Sequence, residues 1–268
     1  MTIQDGQIPD YLLSIIKEQI VIYNQGRSIT QYNEIPDTTQ IPIANQTLWF
    51  KIPDVICVFV DMLGSTKLSA AKQDKGTAGA YQLFTNTAVR IFHEMEAPYI
   101  DVRGDGVFAL FNSNQIYRAF VSAVSFKTFA DLEFVPRIEQ LTTVKVGCHI
   151  GIDQKTVLVR KIGLKRKNGR SDRQNEVWAG KPVNMAAKLA SLSAHNQLFV
   201  SDRYYEKLKD DKVRYSCGCP NNNMELLWKE YDVRENKLFD FDKAYYIESN
   251  WCKTHGRDFF ESLIELDK

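Results

Sequence analysis

The chain has 268 residues, with 34 Lys and Arg against 33 Asp and Glu and a formal net charge of +1. That length buries a full core, and the near-neutral balance gives no electrostatic reason to expect a nucleic-acid or membrane partner. No long apolar run is present and Met1–Pro9 is polar, without the apolar core of a signal peptide, so a cytoplasmic location is expected.

Tyr11–Tyr23 reads as a helix with an apolar face of Leu12, Leu13, Ile16, Ile20 and Tyr23. Ser28–Asn45, polar and carrying Pro36 and Pro42, reads as a linker. Val55–Val60 is a continuous apolar run, the pattern of a buried strand. Thr77–Met95 is helical in pattern. Tyr99–Val102 and Val107–Phe111 flank Arg103-Gly104-Asp105-Gly106 as a hairpin. Ile116–Phe129 is a further amphipathic helix, and Val144–Gly151 alternates as a strand. Thr156–Ile162 and Asn175–Trp178 form two arms around a basic tip, Arg160–Arg173, with seven Lys and Arg against Asp172. A helix over Pro182–Leu192, a strand over Gln197–Val200 and a short helix over Asp202–Leu208 follow. Strands within Leu226–Val233 and Lys237–Ile247 and a last helix over Arg257–Leu266 complete the chain. The order predicts an α+β fold on an antiparallel, ferredoxin-like sheet. It divides into an N-terminal helix and linker (1–48), a central domain (49–250) and a C-terminal helix (251–268).

Five cysteines at irregular spacing argue against a disulfide framework. Cys57 and Cys148 fall in strands and are expected in the core. Cys217-Gly218-Cys219 has no second ligand pair near it in the sequence, which argues against structural zinc.

Three segments carry chemistry. In Val58-Phe59-Val60-Asp61-Met62-Leu63-Gly64-Ser65-Thr66 a strand ends at a carboxylate and turns into a helix, whose N-terminus suits phosphate. The plain alternative is a solvated Asp61 and a Ser65 helix cap. In Asp101-Val102-Arg103-Gly104-Asp105-Gly106 a second carboxylate sits at a hairpin, where the plain alternative is a type I′ turn. Two carboxylates at neighbouring strand ends chelate Mg²⁺ or Mn²⁺ through oxygen. In Trp178–Lys188, Asn184 and Lys188 are four apart on one helix face, either to hold ribose and phosphate or simply as solvated surface.

Their order and spacing resemble the class III adenylate and guanylate cyclases, over about Val55–Tyr204. The strand Val144–Gly151 resembles the family's glycine-bearing strand between the second and third motifs. The resemblance implies a head-to-tail homodimer that cyclises a nucleoside triphosphate with two Mn²⁺ or Mg²⁺ ions per active site. Asp61 and Asp105 match the metal aspartates, with the Met62 carbonyl as a further ligand. Asn184 matches the ribose-orienting asparagine, contributed with Lys188 from the opposite subunit. Lys188 stands where the family usually has arginine, keeping the charge but losing the bidentate fork. Phe59, Leu63, Gly64, Ser65 and Thr66 would line the substrate.

Base recognition departs from the purine enzymes. Asp101 replaces the lysine or glutamate four residues before the second metal aspartate. The other base-reading register, three before the motif glycine, falls on Val177, flanked by Glu176 and Trp178. In this the chain resembles the pyrimidine cyclases of the bacterial anti-phage system called Pycsar, whose cyclic UMP or cyclic CMP activates a separately encoded effector. Asp101 and Arg103 share one strand face. Arg103 offers donors to uracil's carbonyl oxygens and Asp101 an acceptor to its N3–H. UTP is therefore expected as substrate, with CTP and ATP as alternatives. A plain Asp101–Arg103 surface pair is the structural alternative, and a silent nucleotide-binding module the alternative of another class.

Overall fold

The computed structural model describes residues 3, 6–71, 74–164, 170 and 173–268. The chain begins with helix α1 (Asp10–Asn24), strand β1 (Ser28–Gln31) and the long strand β2 (Leu48–Leu63). Helices α2 (Ser65–Ala70) and α3 (Asp74–Glu94) lead to the hairpin β3 (Tyr99–Arg103) and β4 (Gly106–Phe111). Helix α4 (Ile116–Phe129) runs through a π-helical stretch (Ala130–Phe134) into α5 (Val135–Thr142). Strands β5 (Gly147–Gly163) and β6 (Gln174–Gly180), helix α6 (Lys181–Leu192) and strand β7 (Leu198–Ser201) follow. The short helices α7 (Asp202–Tyr205) and α8 (Asp211–Arg214), strands β8 (Lys229–Asp232) and β9 (Lys243–Ile247) and helix α9 (Gly256–Ile264) end the order.

Among the described residues the strands form one sheet in the order β3-β4-β2-β5-β7-β9-β8, with β1 added to β2 and β6 to β5. The central β3-β4-β2-β5 part is antiparallel throughout. The sheet as a whole is mixed rather than antiparallel, because β7 joins β5 and β1 joins β2 in parallel. The parallel pairing of β7 follows from α6, which carries the chain back across the sheet before β7 begins.

Alternation along β2 sets the two faces. Ile56, Val58, Val60 and Met62 enter the main core with Phe84 and Phe92 of α3 and Phe126 of α4. Phe84 meets Phe126 and Phe134 edge-on at 4.9 and 5.2 Å between ring centroids, the geometry aromatic quadrupoles favour. Cys57 and Phe59 point the other way, toward Tyr99, Phe108, Trp178 and Ala186. Both faces of β2 are thus covered, which is why Val55–Val60 reads as an unbroken apolar run. The ladder slips between Ile52 and Val55, where Pro53 has no N–H to give and Asp54 takes φ 49°.

Several boundaries differ from the sequence reading. The expected linker over Ser28–Asn45 contains β1, and its Ile35 and Ile41 are buried. Short polar strands at a sheet edge carry little periodic signal. Val144–Gly151 and Thr156–Ile162 are not separate elements; from Gly147 onward they form the single strand β5. Only Lys243–Ile247 of the Lys237–Ile247 segment is a strand. The hairpin turn carries a positive φ at Gly104 (67°) but not at Asp105, the φ pattern of type II′ rather than type I′. Of the basic tip, residues 165–169, 171 and 172 lie outside the described residues. Arg160 folds inward, donating to the Lys161 and Gln46 carbonyls. The α1 face is not packed as expected: Leu13 is buried, whereas Ile20 and Tyr23 are exposed. No helix among the described residues is long and apolar enough to cross a membrane.

The close approach of α6 to β5 depends on Gly151. A Cβ there would lie 2.0 Å from the Ala186 carbonyl oxygen and 2.6 Å from the Ala190 nitrogen. Backbone on both sides leaves nothing flexible to give way. Gly151→Ala is expected to cost about 1–3 kcal/mol of stability by overpacking, read as a lower melting temperature. An unchanged melting temperature would show that α6 seats without this contact.

Candidate active site

Asp61 lies near the end of β2, between the buried Val60 and Met62, and Asp105 stands in the β3–β4 turn. Val60 pairs with Val107 and Arg103 with Gly106, so Asp61 falls beside Gly106. A Cβ at Gly106 would sit 3.1 Å from Asp61 Oδ1 and 3.1 Å from the Phe59 ring. The missing side chain makes room for the carboxylate. Partial burial raises the Asp61 pKa and the charge of Asp105 raises it further, while His149 and the Met62 amide work against both. His149 is the cross-strand neighbour of Asp61 on β5, and its Nδ1 lies 3.0 Å from Ser193 Oγ. It escaped the sequence reading because only the β2–β5 register reveals it.

Two carboxylates held together and partly desolvated form an unfavourable pair until a cation joins them. Their carboxylate oxygens are the donors that suit hard Mg²⁺ or Mn²⁺. After Asp61 the chain passes Leu63 to Gly64 at φ 88°, where a Cβ would stand 2.5 Å from the Lys145 carbonyl oxygen. Gly64 occupies the N-cap of α2 and no side chain caps it. Ser65 and Thr66 open the helix as its first turn, so Ser65 is not the cap.

Asp101 and Arg103 share the face of Asp61. Asp101 pairs with Phe108, Phe108 with Phe59, and Phe59 with Gly151, one row across four strands. The Arg103 guanidinium approaches Asp101 Oδ2 at 2.6 Å. That oxygen is buried in the chain, with the guanidinium against it. Two residues earlier on the same face is Tyr99, whose ring centroid lies 4.7 Å from that of Trp178. Burial pushes its phenol up to about 12, and the Asp101 and Glu176 carboxylates add to this. It therefore stays a neutral donor at neutral pH.

Val177 is not brought to this group. Trp178 pairs with Val159, and both belong to the cluster that holds Tyr99 and Phe108. Alternation then places Glu176 on the Trp178 face and Val177 on the other. The Tyr99 hydroxyl lies 3.5 Å from Glu176 Oε2, and Lys161 Nζ 3.5 Å from Oε1. Counting back from the motif glycine could not reveal this; period-two alternation from Trp178 could.

Asn184 and Lys188 lie on α6, Asn184 exposed and Lys188 half-buried. Lys188 Nζ donates to the Leu238 carbonyl at 2.8 Å rather than to Asp61 or Asp105. The base of α6 is pinned electrostatically. Asp240 meets Lys181 at 2.7 Å, Lys155 at 2.8 Å and Arg203 at 3.0 Å. Burial opposes its ionisation, but these three cations hold its carboxyl well below the usual range.

A ferredoxin-like antiparallel core, a carboxylate at the end of its first strand, another in the following hairpin and an Asn/Lys helix packed on a strand glycine define the nucleotidyl cyclase fold. The sequence model of the adenylate and guanylate cyclase catalytic domain matches residues 50–227, and the chain belongs to this family, the class III nucleotidyl cyclases. It is similar to a uridylate cyclase of Propioniciclava tarda, 37% identical over 85% of this chain and 74% of that one. A uridylate cyclase of Micromonospora echinofusca is 30% identical over 87% and 76%. The guanylate cyclase domain of RhGC from Catenaria anguillulae, solved with GTP, shares the fold at a TM-score of 0.57 and 15% identity, over 75% of this chain and 98% of that one.

The raised Asp61 pKa has a definite sign. The native state holds a proton that the unfolded chain has already lost, so stability falls as pH rises above the ordinary carboxylate range. Asp61→Asn is therefore expected to melt higher than the wild type at neutral pH in EDTA, with the gap closing on acidification. A variant that melts lower at neutral pH would show that the carboxylate is satisfied within the fold.

Proposed function

We propose that the protein is a uridylate cyclase, converting UTP to 3′,5′-cyclic UMP and pyrophosphate in a head-to-tail homodimer. The observation that carries this reading is the Asp101–Arg103 ion pair, set on the strand that leads to Asp105. Similarity to the uridylate cyclases points the same way.

In the reaction the ribose 3′-oxygen attacks the α-phosphorus, the bond from that phosphorus to the β-phosphate bridging oxygen breaks, and pyrophosphate leaves. The 3′-hydroxyl proton passes to solvent. Asp61, Asp105 and the Met62 carbonyl would hold two Mg²⁺ or Mn²⁺ ions, which when bound acidify the 3′-hydroxyl and neutralise the triphosphate. The Leu63–Thr66 turn offers backbone N–H groups to phosphate. Asn184 orients the ribose, and Lys188 exchanges the Leu238 carbonyl for the α-phosphate, its ammonium charge countering the charge that builds there. Each chain carries every element once, and Lys188 is directed away from the aspartates of its own chain. A two-fold partner would complete two equivalent sites.

At the base, Arg103 donates to a uracil carbonyl and Asp101 Oδ2 accepts from N3–H. Guanidinium and carboxylate are already paired, so little ordering cost remains when the base arrives. Cytosine fits the same pair with its N3 accepting from Arg103 and its N4 amino group donating to Asp101, which makes CTP the second substrate. As in the Pycsar enzymes that the sequence resembles, the cyclic nucleotide would act on a separate effector in anti-phage defence.

With all four ribonucleoside triphosphates present in equal amounts with Mn²⁺, cyclic UMP is expected as the main product. Arg103→Ala should lower kcat/KM for UTP about 10- to 100-fold, the loss of a hydrogen bond from a charged group, while the triphosphate contacts persist. A dominant purine product would leave the family intact and remove the pyrimidine assignment.

A further inference from the structure

Cys217-Gly218-Cys219 lacks companion ligands in the sequence around it, but the fold supplies them. The two cysteines lie in the loop between α8 and β8. The loop is closed by a bridge between Tyr215 and Leu226, and by a 2.8 Å bond from the Ser216 amide to the Glu225 carbonyl. Between the cysteines Gly218 takes φ 79°, and a Cβ there would lie 3.0 Å from the Asn222 backbone. Glycine permits this left-handed turn, which brings both sulfurs into one cluster. The other half arrives from the C-terminal end of the chain. Cys252 and His255 belong to the turn that enters α9, closed by a 2.8 Å bond from the Gly256 amide to the Cys252 carbonyl.

Ligand atoms of Cys217, Cys219, Cys252 and His255 all lie within 4.8 Å of one another. Cys219 Sγ and His255 Nδ1 are 3.2 Å apart. A tetrahedral ion with bonds of ~2.0–2.3 Å needs its ligand atoms roughly 3.3–3.8 Å from each other, so small side-chain rotations would close the cluster on one ion. No cysteine in the chain is in a disulfide, and a disulfide would leave the imidazole without a role.

We propose that Cys217, Cys219, Cys252 and His255 bind one structural zinc ion. Three thiolates and an imidazole select a borderline-soft ion over the Mg²⁺ or Mn²⁺ suited to Asp61 and Asp105. Four protein ligands leave no position for substrate, the mark of a structural rather than a catalytic site. Its place explains its use. It clamps the start of α9 to the loop before β8, while Leu263 of α9 is buried in the main core. Just beyond, the Asp267 carboxylate accepts from the Tyr117 and Arg118 amides at 3.0 and 2.7 Å and so caps α4. The ion thus fastens the C-terminal segment onto α4, on the side of the sheet that faces away from Asp61.

The test is metal analysis of the full chain, purified under reducing conditions without chelator. One zinc per chain is expected, retained by Asp61→Asn and lost in Cys219→Ser and Cys252→Ser. Stripping the zinc should lower the melting temperature. Because a cysteine variant can fail to fold, the wild type is also stripped and refilled with Co²⁺, which should give the intense thiolate charge-transfer and visible bands of a tetrahedral sulfur-nitrogen site. Protein that carries no zinc and shows no such Co²⁺ spectrum would overturn the proposal, as would zinc content unchanged in both cysteine variants.

Discussion

Two carboxylates meet at one end of a buried strand. Asp61 lies near the end of β2, and the β3–β4 hairpin carries Asp105 in its turn, with Gly106 leaving room for the Asp61 carboxylate. Asp61 is held by pairing on both sides of β2, and Asp105 by the tight turn that Arg103 and Gly106 close. Burial first, and then the charge of Asp105, raise the pKa of Asp61, and a divalent cation would offset both. Such a group costs stability on its own, and any cation that joins it would return that stability.

The remaining parts of the site are positioned by the same sheet. Period-two alternation gathers Tyr99, Asp101 and Arg103 onto the face of Asp61, and the row Asp101–Phe108–Phe59–Gly151 runs from the expected base-reading strand to the seat of α6. Gly151 lets α6 approach within backbone contact, and Asp240 gathers Lys155, Lys181 and Arg203 around the base of that helix. The opposite face is given over to packing of α3 and α4, with Phe84 and Phe126 meeting edge-on.

What was legible in the sequence was local. The buried run Val55–Val60, the Gly104 hairpin and the Pro182–Leu192 helix each carry their own periodicity or turn chemistry, and the motif carboxylates follow from them. What was hidden depended on pairing. His149 meets Asp61 only through the β2–β5 register. Glu176, not Val177, reaches Tyr99 because of the facing direction fixed at Trp178. Likewise Cys217 and Cys219 find Cys252 and His255 only once α9 has docked. The parallel pairing of β7 with β5 required knowing which way α6 carries the chain.

Asp61 and Asp105 are proposed to hold both divalent cations jointly. Mn²⁺ binding can be followed by electron paramagnetic resonance with a UTP analogue that cannot cyclise. Two tightly bound Mn²⁺ per nucleotide site are expected in the wild type, with that tight binding lost in both Asp61→Asn and Asp105→Asn while each variant stays folded. Undiminished Mn²⁺ binding in either folded variant would show that these carboxylates do not hold the ions.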